Sequence, residues 1–123
     1  MKMNKTQIEK ITITIVSIIA MCLVTLSVYS DYKVYRQKSL FYELQILRMG
    51  VNIYQLLNYR NPSEISELTN MGYKFPGEST DRYFVEGVRK NDKGQLVDPF
   101  GNVYSYDRLT GWVRSSTRGY EFW

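Results

Sequence analysis

The sequence contains no histidine and only one cysteine, Cys22. The first absence removes the commonest general base near neutral pH and the commonest transition-metal ligand. The second rules out an intrachain disulfide, so any folded part is held by packing alone. Proline is scarce, with none before Pro62, and Gly50 is the only glycine ahead of it. There is no Ser/His/Asp set, no metal-ligand cluster, no phosphate-binding loop and no carboxylate pair with an evident pocket, so neither an enzyme nor a cofactor is expected. Asp92, Asp98 and Asp107 are too dispersed to read as a calcium loop, and no metal site is expected.

The first sixty residues carry an uncharged run. From Ile11 to Tyr29, "ITITIVSIIAMCLVTLSVY" has no charge, proline or glycine. As a helix it is about 28 Å long, the thickness of a bilayer's hydrocarbon core. One transmembrane helix is predicted. Its hydroxyl residues, Thr12, Thr14, Ser17, Thr25 and Ser27, can bond back to their own helix. A cleaved secretory signal is the competing reading, with Lys2, Lys5 and Lys10 as its basic front, but "SVYSDYKVY" offers a poor small-residue cleavage site.

The net charge of +4 does not mark a nucleic-acid binder. Three of the sixteen basic residues and one of the twelve acidic residues precede the span, leaving 13 Lys/Arg against 11 Asp/Glu beyond Ser30. That is a mixed, solvated surface. Arg108, Arg114 and Arg118 lie near Tyr104 and Trp112 in sequence without forming a concentrated patch, so no nucleic-acid partner is expected. Basic residues flank the span on both sides and leave its orientation open.

Beyond the span, Leu40, Leu44, Leu47, Val51 and Tyr54 recur at helical spacing, widened by Ile46, Ile53 and Leu57. Helix is therefore predicted through Asn58, about 80 Å if unbroken from Thr6. "NPSE" then restarts the chain: Asn61 as cap, Pro62 at the first helical position, Glu64 completing a capping box, and Gly72 as the stop. After Asp81 the pattern becomes strands: 82–88, 95–97, 102–106 and 112–116, separated by turns. The predicted fold is α+β, a long N-terminal helix packed on one small antiparallel sheet of three or four strands. Its segments are 1–10, the N-terminal piece; 11–29, the span; 30–60, the amphipathic continuation; 61–81, a short helix and loop; and 82–123, the sheet. "LVDPFGNVYSY" contains a specified turn: Asp98 bonding amides ahead of it, Pro99 fixing φ, Gly101 at the fourth position and Asn102 leading into a strand.

This arrangement resembles the type IV pilin superfamily, and within it the pseudopilins of type II secretion systems. "LVDPFGNVYSY" resembles the family's "DPWGNPYxY" motif. "YRQKSLFYELQILRMGVNIYQLLNYRNPSE" resembles the helix that ends at a Tyr-rich corner, and "TGWVRSS" is similar to the last strand of many minor pilins. "KTQIE" is similar to the mature start "FTLIE". The resemblance implies a bitopic inner-membrane subunit with its C-terminal domain in the periplasm. It implies filament assembly with copies of itself or related pilins, membrane lipid and an inner-membrane assembly platform as partners, and no small-molecule substrate.

The resemblance also implies site residues. Cleavage would fall between Asn4 and Lys5, where the family has Gly before the cut and Phe or Met after it; Asn in place of Gly hinders the peptidase. Thr6 and Glu9 would set subunit register and assembly. A carboxylate at a membrane edge needs a partner; in an uncut chain Lys5 or Lys10 can neutralise Glu9, and simple solvation at the headgroups is the plainer alternative. Two further alternatives are an unprocessed, membrane-anchored accessory subunit and a membrane-anchored binding module.

Overall fold

The computed structural model describes residues 4–123. The first three residues of the expected leader, Lys2 among them, lie outside the described residues. Helix α1, Lys5–Asn58, runs for 54 residues without interruption. Two compact units divide the chain, one ending at Tyr35 and one spanning Arg36–Trp123.

In the first unit every described residue is exposed, including each apolar residue of the Ile11–Tyr29 run. Long and apolar enough to cross a membrane, the run needs its hydroxyls satisfied internally. Thr12 donates to the Ile8 carbonyl at 2.9 Å, Thr14 to Lys10 at 2.9 Å and Ser17 to Ile13 at 2.9 Å. Thr25 is shared between the carbonyls of Met21 at 3.0 Å and Cys22 at 2.9 Å.

The second unit folds around the rear of α1. Leu40, Leu44, Leu47, Val51 and Tyr54 form its buried stripe, as the helical spacing predicts. They pack with Ile65, Leu68, Phe84, Val85, Leu96, Tyr104 and Val113. Gly50 lies in that stripe for a steric reason. A Cβ there would stand 2.5 Å from Val85 Cγ2 and 2.8 Å from the Phe84 carbonyl oxygen, so only glycine lets the 84–85 backbone approach. Immediately after α1, Tyr59 takes a left-handed φ of 56°, a position usually given to glycine, and the chain turns away.

Between 61 and 70 the structure departs from the expected capped helix. Helix α2 is a single turn, Glu67–Asn70, and its N-cap Ser66 makes no side-chain capping bond. Asn61 does not cap it: its Nδ2 donates to the carbonyls of Arg108 and Leu109, both at 3.1 Å. Glu64 accepts from Ser66 Oγ at 3.1 Å rather than reaching back to residue 61. The tertiary bond to the 108–109 turn outcompetes the local capping box.

The single sheet is also corrected. Strands β1 (Gly72–Tyr73) and β2 (Arg82–Tyr83) pair antiparallel, so Gly72 opens a strand instead of ending a helix. Strands β3 (Ser105–Asp107) and β4 (Trp112–Arg114) form a separate antiparallel pair. Only isolated bridges, Lys90 with Leu96 and Val97 with Val103, join the segments where longer strands were expected. Glycines of positive φ at 87, 94 and 101 break the runs before longer ladders form.

Candidate functional site

The corner at residues 98–102 is the most densely bonded part of the second unit. The Asp98 amide donates to the Asn102 carbonyl at 2.8 Å and the Gly101 amide to the Asp98 carbonyl at 2.9 Å. With Gly101 at φ 89°, this is a three-residue hairpin loop closed by a left-handed glycine. A residue with a Cβ is strained there, a stronger reason for glycine than the turn statistics.

Asp98 and Pro99 are buried. Asp98 Oδ1 accepts from the amides of Phe100 at 2.9 Å and Asn102 at 3.0 Å. Its Oδ2 accepts from the hydroxyls of Ser115 at 2.9 Å and Thr117 at 2.5 Å. Asn102 Nδ2 in turn donates to Thr117 Oγ1 at 2.7 Å. The four residues expected in the turn are thus brought together, and Asp98 additionally ties the segment after β4 to the corner. With each carboxylate oxygen accepting two hydrogen bonds, Asp98 serves as a structural acceptor.

A second buried carboxylate was not anticipated. Glu43 lies on the core face of α1, only 5% exposed, in phase with Leu40, Leu44 and Leu47. It accepts from the Tyr104 hydroxyl at 2.7 Å and from Ser39 Oγ at 3.2 Å. Burial first, then the bond and charge of Glu43, push the Tyr104 phenol well above its ordinary pKa. Among the described residues the ion pairs are Lys74–Asp81 at 3.4 Å and Arg82–Glu78 at 2.6 Å, so the polar partners of the buried carboxyls are hydroxyls for Glu43 and hydroxyls and amides for Asp98, not cations. The signal was in the sequence, a glutamate in register with the apolar stripe.

Nearby, Arg48 Nε and Nη2 donate to the Val113 carbonyl at 3.1 and 3.0 Å, and Nη2 also donates to the Trp123 oxygen. Gln37 Nε2 donates to the Tyr120 hydroxyl at 2.7 Å, and Tyr120 stacks on Phe100 at 5.1 Å. The C-terminal segment is thereby bound to both α1 and the corner.

At the front of α1, Asn4 caps the helix. Its carbonyl accepts from the amides of Gln7 at 2.8 Å and Ile8 at 3.2 Å, and its own amide donates to Gln7 Oε1 at 3.4 Å. The Asn4–Lys5 bond therefore enters the first turn. Lys5, Thr6 and Glu9 are exposed on that turn and the next. Neither Lys5 nor Lys10 forms an ion pair with Glu9 among the described residues. No protein-family model, curated protein or solved structure matches the chain.

Proposed function

We propose that the chain is a structural subunit of the pilin or pseudopilin class, anchored in the inner membrane with its folded unit in the periplasm. Its work is mechanical: subunits join through the apolar front of α1 into a filament driven from an inner-membrane platform. One observation carries this reading. A single helix supplies both a fully exposed apolar run, Ile11–Tyr29, and the buried stripe of a small α+β unit closed by the Asp98 corner. An apolar surface of that extent needs lipid or other helices to cover it. Glu9 sits two residues before the run, exposed and without an ion-pair partner among the described residues, which supports its role as the charge that meets an incoming subunit.

The test is Glu9→Ala in native membranes. The variant is expected to stay in the membrane at wild-type level and to vanish from sedimentable filaments. Wild-type incorporation would remove the register role.

Asn4 favours a second reading, an unprocessed accessory subunit. Cutting after Asn4 would strip α1 of the cap formed by its carbonyl. Mass spectrometry of the N-terminus in native membranes decides between them: a mature chain starting at Lys5 supports the filament subunit, and one retaining Asn4 supports the accessory subunit.

A further inference from the structure

The outward face of the β3–β4 hairpin has no part in the core. The register pairs Ser105 with Arg114 and Asp107 with Trp112, while the alternate residue Val113 is fully buried on the other side. Side chains alternate across a strand, so these four share one face. With Thr110 from the turn they line a concavity of about 420 Å³.

Trp112 is 48% exposed, yet its ring is not loose. The Arg48 guanidinium lies over it, 4.5 Å from the ring centroid, and is itself held by the Val113 carbonyl. The indole is thus a fixed platform with part of its surface open. Asp107 Oδ1 accepts from the Leu109 amide at 2.9 Å and Oδ2 from Thr110 Oγ1 at 2.8 Å. The Thr110 amide adds a further bond, and with about four lone-pair sites the carboxylate still has room for another donor. These bonds, Thr110 first, hold the Asp107 carboxyl below the usual carboxylate range, so it is ionised at neutral pH. Among the described residues the Arg114 side chain forms neither an ion pair nor a hydrogen bond; its charge helps hold the Asp107 carboxyl down and adds to burial in lowering the Arg48 pKa. Arg48 is engaged by the Val113 and Trp123 oxygens, so Arg114 is the guanidinium open to an anionic ligand.

We infer that this face binds an acidic saccharide, a pyranose carrying a carboxylate. The C–H face of the ring lies on Trp112, the carboxylate pairs with Arg114, and ring hydroxyls donate to Asp107 and exchange bonds with Ser105 and Thr110. An extended acidic peptide fits less well. It would add along the strand edge, and Arg48 already occupies the Val113 carbonyl. The site is complete within one chain and does not depend on filament assembly.

The experiment is isothermal titration of the full chain in detergent micelles with trigalacturonate, its fully methyl-esterified form and triglutamate. The expected result is saturable 1:1 binding of trigalacturonate. Binding weakens about tenfold or more in Arg114→Gln, the scale of losing one charge-assisted contact. The ester binds the wild-type chain as weakly as trigalacturonate binds that variant, a comparison that requires no mutant to fold. Trp112→Phe retains part of the affinity, and Trp112→Ala with an unshifted melting temperature loses it. The inference is overturned by absence of saturable binding, by equal binding of acid and ester, by affinity unchanged in Arg114→Gln, or by preference for triglutamate.

Discussion

Leu23 and Leu47 belong to the same helix and the same residue type, yet Leu23 is 63% exposed and Leu47 is fully buried. Over Ile11–Tyr29 the helix is uncharged on all sides, and up to Tyr35 every described residue is exposed. From Arg36 onward it is apolar on one side, and that side is the core of the second unit. The comparison teaches that helix formation and burial have separate causes here. No described residue of the front half is buried by the chain, so that half relies on its surroundings; the rear half is stabilised by packing.

The sharpest way to break this comparison is to truncate both leucines. Leu47→Ala is expected to lower the unfolding free energy by about 2–5 kcal/mol, the cost of an unfilled core site. Leu23→Ala should shift it by less than about 0.5 kcal/mol. Trp112 and Trp123 both lie in the second unit, so tryptophan fluorescence during urea unfolding in micelles reads that unit alone. Equal effects of the two substitutions would dissolve the distinction.

Asp98→Ala comes next, with an expected loss of about 2–3 kcal/mol, because two hydroxyls and two amides lose a buried acceptor. The same titration measures it, and an unchanged midpoint would make the corner dispensable.

The smallest effect is on alkaline stability. The folded pKa of Tyr104 is raised by burial and by Glu43, so above the ordinary tyrosine pKa of about 10 the unfolded chain loses a proton that the folded chain keeps. Stability is then complete below about pH 10 and falls as pH rises toward the folded pKa. Tyr104→Phe should flatten this decline in melting temperature. Tyr106, also raised by burial, supplies the residual slope.

Much of this contrast was legible in residue pattern. The uncharged run and the Leu40–Tyr54 stripe announce themselves by composition and spacing, because both are local to one helix. The Asp98 corner was legible for the same reason: Asp, Pro and Gly each constrain their own backbone. What was not legible depends on contacts far apart in sequence. Asn61 looked like a cap because Pro62 and Glu64 follow it, but its partners are 47 and 48 residues away. The β-rich tail looked like one sheet, whereas single bridges and left-handed glycines hold it as two short pairs. Glu43 was hidden by the habit of counting charge as surface; Tyr104, 61 residues on, makes its burial tolerable. Gly50 carried a signal as the lone glycine of a long helix, but the backbone it admits at 84–85 was invisible beforehand.

The central claim, that the exposed front of α1 is covered by other copies, is tested most directly through the native Cys22, the chain's only cysteine and exposed in mid-run. Oxidising native membranes with copper phenanthroline should convert the chain to a covalent dimer on a non-reducing gel, and Cys22→Ser should abolish that band. A chain that stays monomeric under oxidation, while a lipid-soluble maleimide shows Cys22 to be reduced and reachable, would contradict it.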